Sequence, residues 1–409
     1  MLRLIRSLST LSEITLFVLF STFFGLLNIA ASPPFQVPDE FNHVHRVMQI
    51  AEGNFLPAKQ GGAAGGFVRP DVLQIMSHYQ QMPKHPETKI QPQVIWQDFR
   101  SLPAATEPRV FLDFNNTAIH IPAAYLPQVI AYKLVDFLSD NFLLKYYLVR
   151  LLMLGLYIWV GLFCLRELPV ARKSFFIFLT LPMSLFIHAS FSADYFLNLV
   201  YLVLSVMLAR YVLNPGSGRR EIIWITVCAF LAGFLKAAYA PLMLAFLVLL
   251  RRPERNKDDL RLFLISAALF LISAAAAFWF TQKNYFKMLD FVDPIAQMRF
   301  ILDHPLQFTG ILIKSTILKF PFIPIGLTTQ MGWLDVFIPW YVALLSVAAF
   351  FYAAICEELN AVIQTRMRII FAVAAFLCML SVQFFLYLSW NPVGVDIISG
   401  MQGATCSRR

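Results

Sequence analysis

Apolar residues fill much of the chain in runs that are long enough to cross a lipid bilayer. A crossing helix needs roughly 20 apolar residues, because the hydrocarbon core is about 30 Å thick and a helix rises about 1.5 Å per residue. The runs span residues 11–31, 143–165, 174–191, 196–213, 262–280, 334–355 and 369–389. This pattern predicts an all-α polytopic membrane protein, with residues 1–409 forming a single membrane domain.

One further apolar stretch, 222–250, has basic clusters at both of its ends. A single crossing would place one cluster on the side of the membrane that basic loops avoid. Lys236 and Pro241 interrupt the stretch near its middle. We predict a hairpin whose arms, 222–235 and 239–250, enter and leave on the same side, with Lys236 nearest the opposite face. The whole chain then has about nine membrane segments.

The basic residues between the apolar runs predict the orientation, because cytoplasmic loops next to the membrane carry an excess of Lys and Arg. All the short basic loops fall on one side if the N-terminus is cytoplasmic. These loops hold Arg166, Arg172 and Lys173; Arg219 and Arg220; Arg251, Arg252, Arg255, Lys257 and Arg261; and Arg366 and Arg368. The first run could be a signal peptide, although the later crossings favour an uncleaved anchor.

Two long stretches, 32–141 and 281–333, are then expected on the extracytoplasmic side. Within the first, the sequence GGAAGG at 61–66 predicts a mobile loop. Residues 121–138 are apolar with polar breaks, which favours a helix lying in the membrane interface over a crossing. In the second stretch, a half-apolar segment with two lysines is expected to lie on the outer surface.

Composition supports the membrane class and argues against two others. The chain is 58% hydrophobic and 14% charged, with a mean hydropathy of +0.65, whereas a soluble domain carries about a quarter charged residues. The net charge of +9 could suggest nucleic-acid binding, but the basic residues form short clusters between apolar runs, so no nucleic-acid partner is expected. The five cysteines lack CxxC spacing, which favours buried thiols over a metal site or a disulfide framework.

The segment richest in reactive side chains directly follows the first apolar run and reads PPFQVPDEFNHVHR over residues 33–46. A proline followed by two acidic residues suits the start of a helix. At about 100° per residue, Asp39, His43 and Arg46 share the polar face, whereas Glu40 lies at the edge of the apolar face and points toward the bundle. A capped surface helix explains the acidic start but not an inward carboxylate, which is costly to desolvate. Both a structural and a functional role stay open.

Other ionisable residues are expected near the same outer face. Asp194 lies at the end of the third apolar run, Lys236 lies at the tip of the predicted hairpin, and Asp335 opens a later run. Ionisable groups at membrane depth indicate function by default. For the two aspartates, a helix cap or a side chain that snorkels toward water is an equally good explanation.

Several segments resemble one family, in order and over nearly the whole chain. They are PFQVPDE at 34–40 with His43, AEG at 51–53, YLPQ at 125–128, LPM at 181–183, SFSAD at 190–194, KAAYAP at 236–241, GWLD at 332–335 and GMQG at 400–403. On these segments the chain resembles a bacterial family of polytopic membrane proteins catalogued as a domain of unknown function (DUF 2142). That family is similar in layout to the GT-C glycosyltransferases.

The resemblance implies a GT-C-like helix bundle in the bacterial plasma membrane, with a long first extracytoplasmic loop. Such enzymes take a sugar from a polyprenyl-phosphate carrier and pass it to a glycan or glycolipid acceptor, using an acidic residue of that loop. Asp39 and Glu40 match this position, as a base for the acceptor hydroxyl or as ligands of a divalent metal. The residues implied in substrate binding, chiefly of the phosphate, are His43, Arg46, Asp194 and Lys236.

Two other functions stay open from the sequence. The first is a transporter or flippase of lipid-linked intermediates, although no internal repeat, which is common in transporters, is found. The second is a non-catalytic membrane subunit of a polysaccharide assembly complex. After residue 403 the family pattern continues into a further membrane helix, whereas this chain reads ATCSRR. We therefore expect a truncated or frame-shifted C-terminus, which would raise the odds of the second alternative.

Overall fold

The computed structural model describes residues 12–100, 108–251, 257–287, 289–357 and 364–400. The α-helices are α1 Glu13–Ala31, α2 Glu40–Ala51, α3 Pro70–Ser77, α4 Pro92–Arg100, α5 Asn115–Ala118, α6 Leu126–Asp136, α7 Phe142–Glu167, α8 Arg172–Leu179, α9 Pro182–His188, α10 Asp194–Leu213, α11 Arg219–Leu235, α12 Lys257–Asn284, α13 Pro294–Asp303, α14 Pro305–Lys319, α15 Ile323–Thr328, α16 Trp340–Cys356 and α17 Thr365–Trp390. The 3-10 helices are Pro122–Tyr125, Ala237–Arg251 and Phe320–Phe322. The strands are β1 Ala58–Gln60, β2 Ala63–Val68, β3 Val110–Asp113, β4 Gln330–Met331 and β5 Val336–Phe337. The expected C-terminal truncation concerns the residues after 403, which lie outside the described ranges.

Six helical segments among the described residues are long and apolar enough to cross a membrane. They are α1, α7, α10, α12, the stretch Pro305–Gly326 and α17; the 3-10 helix Ala237–Arg251 and α16 are shorter apolar helices. Large apolar side chains such as Phe23, Trp159 and Ile272 are exposed on these helices, as expected where lipid rather than water surrounds the protein. The predicted fold class, an all-α polytopic membrane protein, is confirmed.

The bundle has two ends, here named the loop end and the far end. At the loop end α1 stops at Ala31 and α7 starts at Phe142, so the first loop, 32–141, leaves and re-enters the bundle there. Helix α10 also starts at the loop end, because Phe191, just before it, donates its backbone N–H to Glu40 of the loop helix α2 at 3.1 Å. The far end holds the opposite ends of these helices.

Between α10 and α12 the chain rises to the loop end and returns. At the far end, Arg210 of α10 pairs with Glu221 at the start of α11 at 2.8 Å. The neighbouring Tyr211 donates to Asp259 at the start of α12, also at 2.8 Å. In the chain, Lys236 lies between the start of α11 and the start of α12. It nevertheless contacts Asp194, the first residue of α10, at the loop end. This is the path that a hairpin requires; the side of the membrane on which its ends lie stays a prediction.

The segment 174–191, expected to be one continuous span, is broken into two short helices. Helix α8 ends at Leu179 and α9 begins at Pro182. The ring of Pro182 removes a backbone donor and disfavours helical geometry at the preceding Leu181, which is extended with a ψ of 140°. Neither helix is long enough to cross by itself, and the break opens a gap beside α10.

The stretch Pro305–Gly326 does not connect the two ends, despite its length and apolar character. Before it, the side chain of Gln297 accepts a hydrogen bond at 3.0 Å from the Gly394 N–H, just after α17. Ser381 in α17 donates to the Ala238 carbonyl, next to Lys236, at 2.8 Å, so α17 runs toward the loop end. After it, the indole of Trp333 donates to the Phe35 carbonyl in the first loop at 3.1 Å. Both flanks therefore lie at the loop end. The expectation that Asp335 opens a span is wrong: it lies between β4 and β5, and α16 begins at Trp340.

The first loop contains a small antiparallel sheet in the order β1-β2-β3, and its glycines are part of it. The expected mobile loop at 61–66 is instead a turn followed by β2. Gly61 and Gly62 form the turn with φ of +60° and +79°, which glycine adopts at little cost. A Cβ on Gly65 would lie 2.0 Å from the Leu112 carbonyl oxygen. Close pairing of strands, rather than mobility, explains these glycines.

Candidate functional site

A recessed cavity of about 210 Å³ opens at the loop end, where the first loop meets the helix bundle. Its walls come from five places: the start of α2, the segment before α6, the α9–α10 corner, the tip of the 222–250 hairpin and the turn between β4 and β5. The residues that line it are Val37, Pro38, Asp39, His43, Asn116, Thr117, His120, Met183, Phe186, Ile187, Ser192, Ala193, Asp194, Lys236 and Leu334. Four of the six site residues predicted from the sequence therefore meet in one place: Asp39, His43, Asp194 and Lys236.

Asp39 is held at the entrance to α2 in an uncommon backbone conformation. Its φ of 60° and ψ of 9° are left-handed, a region that costs an L-residue about 1–2 kcal/mol. Its carbonyl accepts from the N–H groups of Asn42 and His43, each at 3.0 Å, so the backbone starts the helix. The carboxylate makes no hydrogen bond to the helix start. The simple helix-cap role proposed as the alternative for this residue is therefore absent.

The surroundings of the Asp39 carboxylate shift its pKa. Removal from bulk water raises the pKa of Asp39 above its ordinary value, while the Asn116 amide and the Lys84 charge act to lower it. The residue is still accessible at the cavity mouth, as expected for a group in a recessed but open cleft. A carboxylate with a raised pKa accepts a proton more readily at neutral pH.

Glu40, the adjacent carboxylate, is fully buried and does not line the cavity. Its two oxygens accept from the Tyr146 hydroxyl at 2.8 Å and from the Phe191 N–H at 3.1 Å. Burial raises the pKa of Glu40, while the nearby Arg150 guanidinium acts to lower it. The inward direction expected from the helix period is observed. Glu40 connects α2 to α7 and to the α9–α10 corner, and its contacts make it a structural residue.

Arg46 is also directed away from the cavity. The side chain is fully buried, and its guanidinium donates to the Gln49 side chain at 2.5 Å and to the Phe55 carbonyl at 2.8 Å. Burial lowers the pKa of Arg46 to about 10, so it stays charged at neutral pH. Its place one turn after His43 on the helix had predicted that both would share the polar face, but the loop folds over that face and covers Arg46.

Two histidine rings lie side by side in the cavity wall. The rings of His43 and His120 are 6.4 Å apart between centroids, and His43 Nδ1 lies 2.8 Å from the Tyr125 hydroxyl. Burial lowers the pKa of His43 to about 3 and that of His120 to about 4. Both rings are therefore neutral at neutral pH, and each can donate or accept a hydrogen bond. His120 was not predicted, because no local pattern distinguishes it within the first loop.

Lys236 and Asp194 form an ion pair at the cavity wall. Lys236 Nζ lies 2.6 Å from Asp194 Oδ1, and the ammonium also stands over the Tyr239 ring, 5.2 Å from its centroid. Both side chains are only partly covered, with 29% of Lys236 and 43% of Asp194 exposed. Of the residues that line this cavity, Lys236 supplies the positive charge, so an anionic group entering the cavity meets it there.

Among the described residues, the cavity offers too few ligands for a divalent metal held by the protein alone. The described part of the chain has no group of three or more His, Cys, Asp or Glu side chains placed to hold an ion. Of the two carboxylates at the cavity, Asp194 already pairs with Lys236, and a protein-held ion would normally need several oxygen ligands. We derive no step through a metal.

Comparison with known proteins identifies the family. A family of predicted membrane proteins, DUF2142, matches residues 20–403. The chain belongs to this family. The match spans both the loop that carries Asp39 and the hairpin that carries Lys236, so the whole cavity lies within the family region. No curated protein and no solved structure matches the chain.

Proposed function

We propose that this DUF2142 protein is a GT-C-like glycosyltransferase, which takes a sugar from a polyprenyl-phosphate carrier and passes it to a glycan or glycolipid acceptor in cell-surface polysaccharide assembly. The observation that carries the proposal is the joint placement of the Asp39 carboxylate and the Lys236–Asp194 pair in one cavity. The cavity lies at the level where α10 begins, which is the level at which a lipid headgroup and a watery acceptor can meet.

The cavity residues suit the roles that the transfer needs. The acceptor hydroxyl oxygen attacks the anomeric carbon, its proton passes to the Asp39 carboxylate, and the bond from that carbon to the carrier phosphate breaks. The phosphate leaves with the electron pair on the polyprenyl phosphate. Lys236 is the cation available to the leaving phosphate, and Asp194 holds the ammonium in position. His43 and His120 provide neutral hydrogen-bond partners for sugar hydroxyls.

The proposed location is the bacterial plasma membrane, with the N-terminus in the cytoplasm and the cavity on the outside. The support is that the described basic loop residues gather at the far end, where Arg210 and Arg220 share Glu167 and where α8, α11 and α12 begin. A cysteine at the exposed Gln60, in the first loop, should react with a membrane-impermeant maleimide on intact cells. Reaction only after permeabilisation would reverse this orientation.

A transfer assay tests the proposed activity directly. Purified protein in lipid nanodiscs receives polyprenyl-phosphate sugars with a radioactive sugar, together with cell-envelope glycan or glycolipid acceptors. The proposal expects label in the acceptor, release of polyprenyl phosphate, and loss of both when Lys236 is replaced by methionine. Release of polyprenyl phosphate without an acceptor product would indicate hydrolysis. Absence of both products with every donor offered to folded protein contradicts the proposal.

A transporter or flippase is the second candidate, and one observation favours it. Broken helices border the cavity, at Pro182 between α8 and α9 and at Lys236 between α11 and the 3-10 helix, and broken helices are typical of transporter binding sites. Against it, the Lys236–Asp194 pair lies at one end of the bundle rather than at the midplane. Protein-dependent movement of a labelled lipid-linked sugar across a liposome membrane, without any transfer, would favour this candidate.

A further inference from the structure

A second cavity lies directly beside the first and extends toward the far end. Its volume is about 330 Å³, and it shares Met183 and Ile187 with the first cavity. We call it the groove. Besides those two residues, its walls are formed by Tyr157, Phe175, Phe178, Leu179, Ser184, His188, Asn198, Tyr201, Leu202 and Ser205. Most of this surface is apolar, in contrast to the polar lining of the first cavity.

The groove follows α10 into the membrane. Asn198, Leu202 and Ser205 repeat at intervals of four and three residues, so they lie on one face of the helix. They stand four to eleven residues beyond Asp194, which places them about 6 to 16 Å further from the loop end. The groove therefore leads from the level of the charged pair into the hydrocarbon layer.

The gap that forms the groove arises from the break between α8 and α9. Phe175, Phe178 and Leu179 come from the first of these short helices, and Met183 and Ile187 come from the second. A single straight helix through this region would bring one continuous row of side chains against α10. The proline at the start of α9 instead lets two separate surfaces face it, with space between them.

We propose that the groove binds the hydrocarbon chain of a single-chain isoprenoid phosphate, with its phosphate beside Lys236. The occupant is amphiphilic because the polar and apolar cavities adjoin, with Met183 and Ile187 in the walls of both. The assignment of an isoprenoid rests on the proposed function, which needs such a carrier. The chain length matters: an isoprenoid too short to pass Met183 cannot bury its tail along α10.

Photolabelling tests the groove without depending on any sugar transfer. The probe is a long-chain polyprenyl monophosphate with a diazirine in its chain, added to the full-length protein in nanodiscs. We expect label on the peptides that contain residues 175–187 and 198–205. Unlabelled long-chain polyprenyl monophosphate should compete, whereas geranyl monophosphate and phosphatidylglycerol should compete at least tenfold less well. Equal competition by phosphatidylglycerol would mean a general lipid crevice and overturn the proposal.

Two substitutions make the test specific. Ser205 is exposed within the groove, so Ser205→Phe should fill it without disturbing the packed core and should reduce labelling at least tenfold. Ala276→Phe adds the same ring to an exposed position of α12 outside the groove and should leave the labelling unchanged. Met183→Trp, which closes the junction of the two cavities, should act like Ser205→Phe. Labelling that survives both groove variants, or that spreads over α1 and α12, overturns the proposal.

The outcomes separate this inference from the proposed function. Specific labelling of the groove without any sugar transfer would keep the groove assignment and contradict the glycosyltransferase proposal. Sugar transfer with an unchanged KM for the lipid donor in Ser205→Phe would keep the glycosyltransferase proposal and contradict the groove assignment.

Discussion

At the scale of residues, two adjacent carboxylates have different surroundings. Asp39 lines the cavity and does not cap its helix, whereas Glu40 is buried between Tyr146 and Phe191. The helix period predicted the inward direction of Glu40. The helix period could not predict the hydrogen-bond partners of Glu40, which are 106 and 151 residues away in the chain. Direction along one helix is a local property, but hydrogen bonds between helices depend on tertiary packing.

Glu40→Gln should therefore lower stability rather than test catalysis. The amide keeps one acceptor oxygen, but its NH₂ group would face a hydroxyl or an N–H donor, and Arg150 would lose the nearby charge. Leaving such a buried group unsatisfied costs about 1–3 kcal/mol. Thermal unfolding in detergent should show a lower midpoint, with Asp113→Asn, an exposed carboxylate of the same loop, as the control. An unchanged midpoint in Glu40→Gln would contradict the structural role.

The two cavity histidines predict a loss of stability in acid. Burial keeps the pKa of His43 near 3 and that of His120 near 4 in the folded state, whereas unfolded histidine has a pKa of about 6.5. Below about pH 6.5 the unfolded chain therefore binds protons that the folded chain does not. Stability is full above this pH and falls as pH drops toward 4, by up to about 1.4 kcal/mol per pH unit for each histidine.

Denaturant unfolding at a series of pH values measures this effect. His120→Gln should flatten the decline between pH 6.5 and 4, because it removes one group whose protonation differs between the two states. The exposed His85→Gln provides the control and should keep the wild-type slope. An identical slope in His120→Gln and the wild-type protein would show that His120 is not held neutral by the fold.

At the scale of elements, apolar runs located most of the long helices, but their interruptions needed the structure. The runs 143–165 and 369–389 lie within α7 and α17. The break before Pro182 could not be predicted from the run 174–191, because the run is apolar throughout. Hydropathy measures only apolar character and takes no account of a missing backbone N–H donor. The glycines at 61–66 suggested mobility from composition, but their pairing with β3 depends on residues more than 40 positions away.

The hairpin at 222–250 makes a prediction about its two ends. Gly216→Cys and Arg251→Cys, each in a background without the other cysteines, flank it at exposed positions. Both should react with an impermeant maleimide from the same side, because α11 and α12 both begin at the far end. The exposed native Cys356, whose neighbour Glu357 binds the start of α8, marks that end. Reactivity of Gly216→Cys and Arg251→Cys from opposite sides would make the stretch a single span.

At the scale of the whole molecule, the sequence predicted the class and part of the site. Composition and apolar runs were enough for an all-α polytopic membrane protein. Ordered family segments led to Asp39, His43, Asp194 and Lys236, which the fold brings to one cavity. The helix period and the resemblance also pointed to Arg46, which the loop covers, and no sequence signal pointed to His120. Whether a side chain lines the cavity depends on how the loop packs over the bundle. Neither local periodicity nor composition predicts that packing.

The most direct test of the central claim is the transfer rate of Asp39→Asn in nanodiscs, with polyprenyl-phosphate sugar as donor. Asp39 lines the cavity and is not needed as a helix cap, so the variant should fold normally, as thermal unfolding can show. Loss of a general base should lower the rate about a hundredfold or more, while Asp113→Asn should keep the wild-type rate. A folded Asp39→Asn protein that transfers sugar at the wild-type rate would contradict the account.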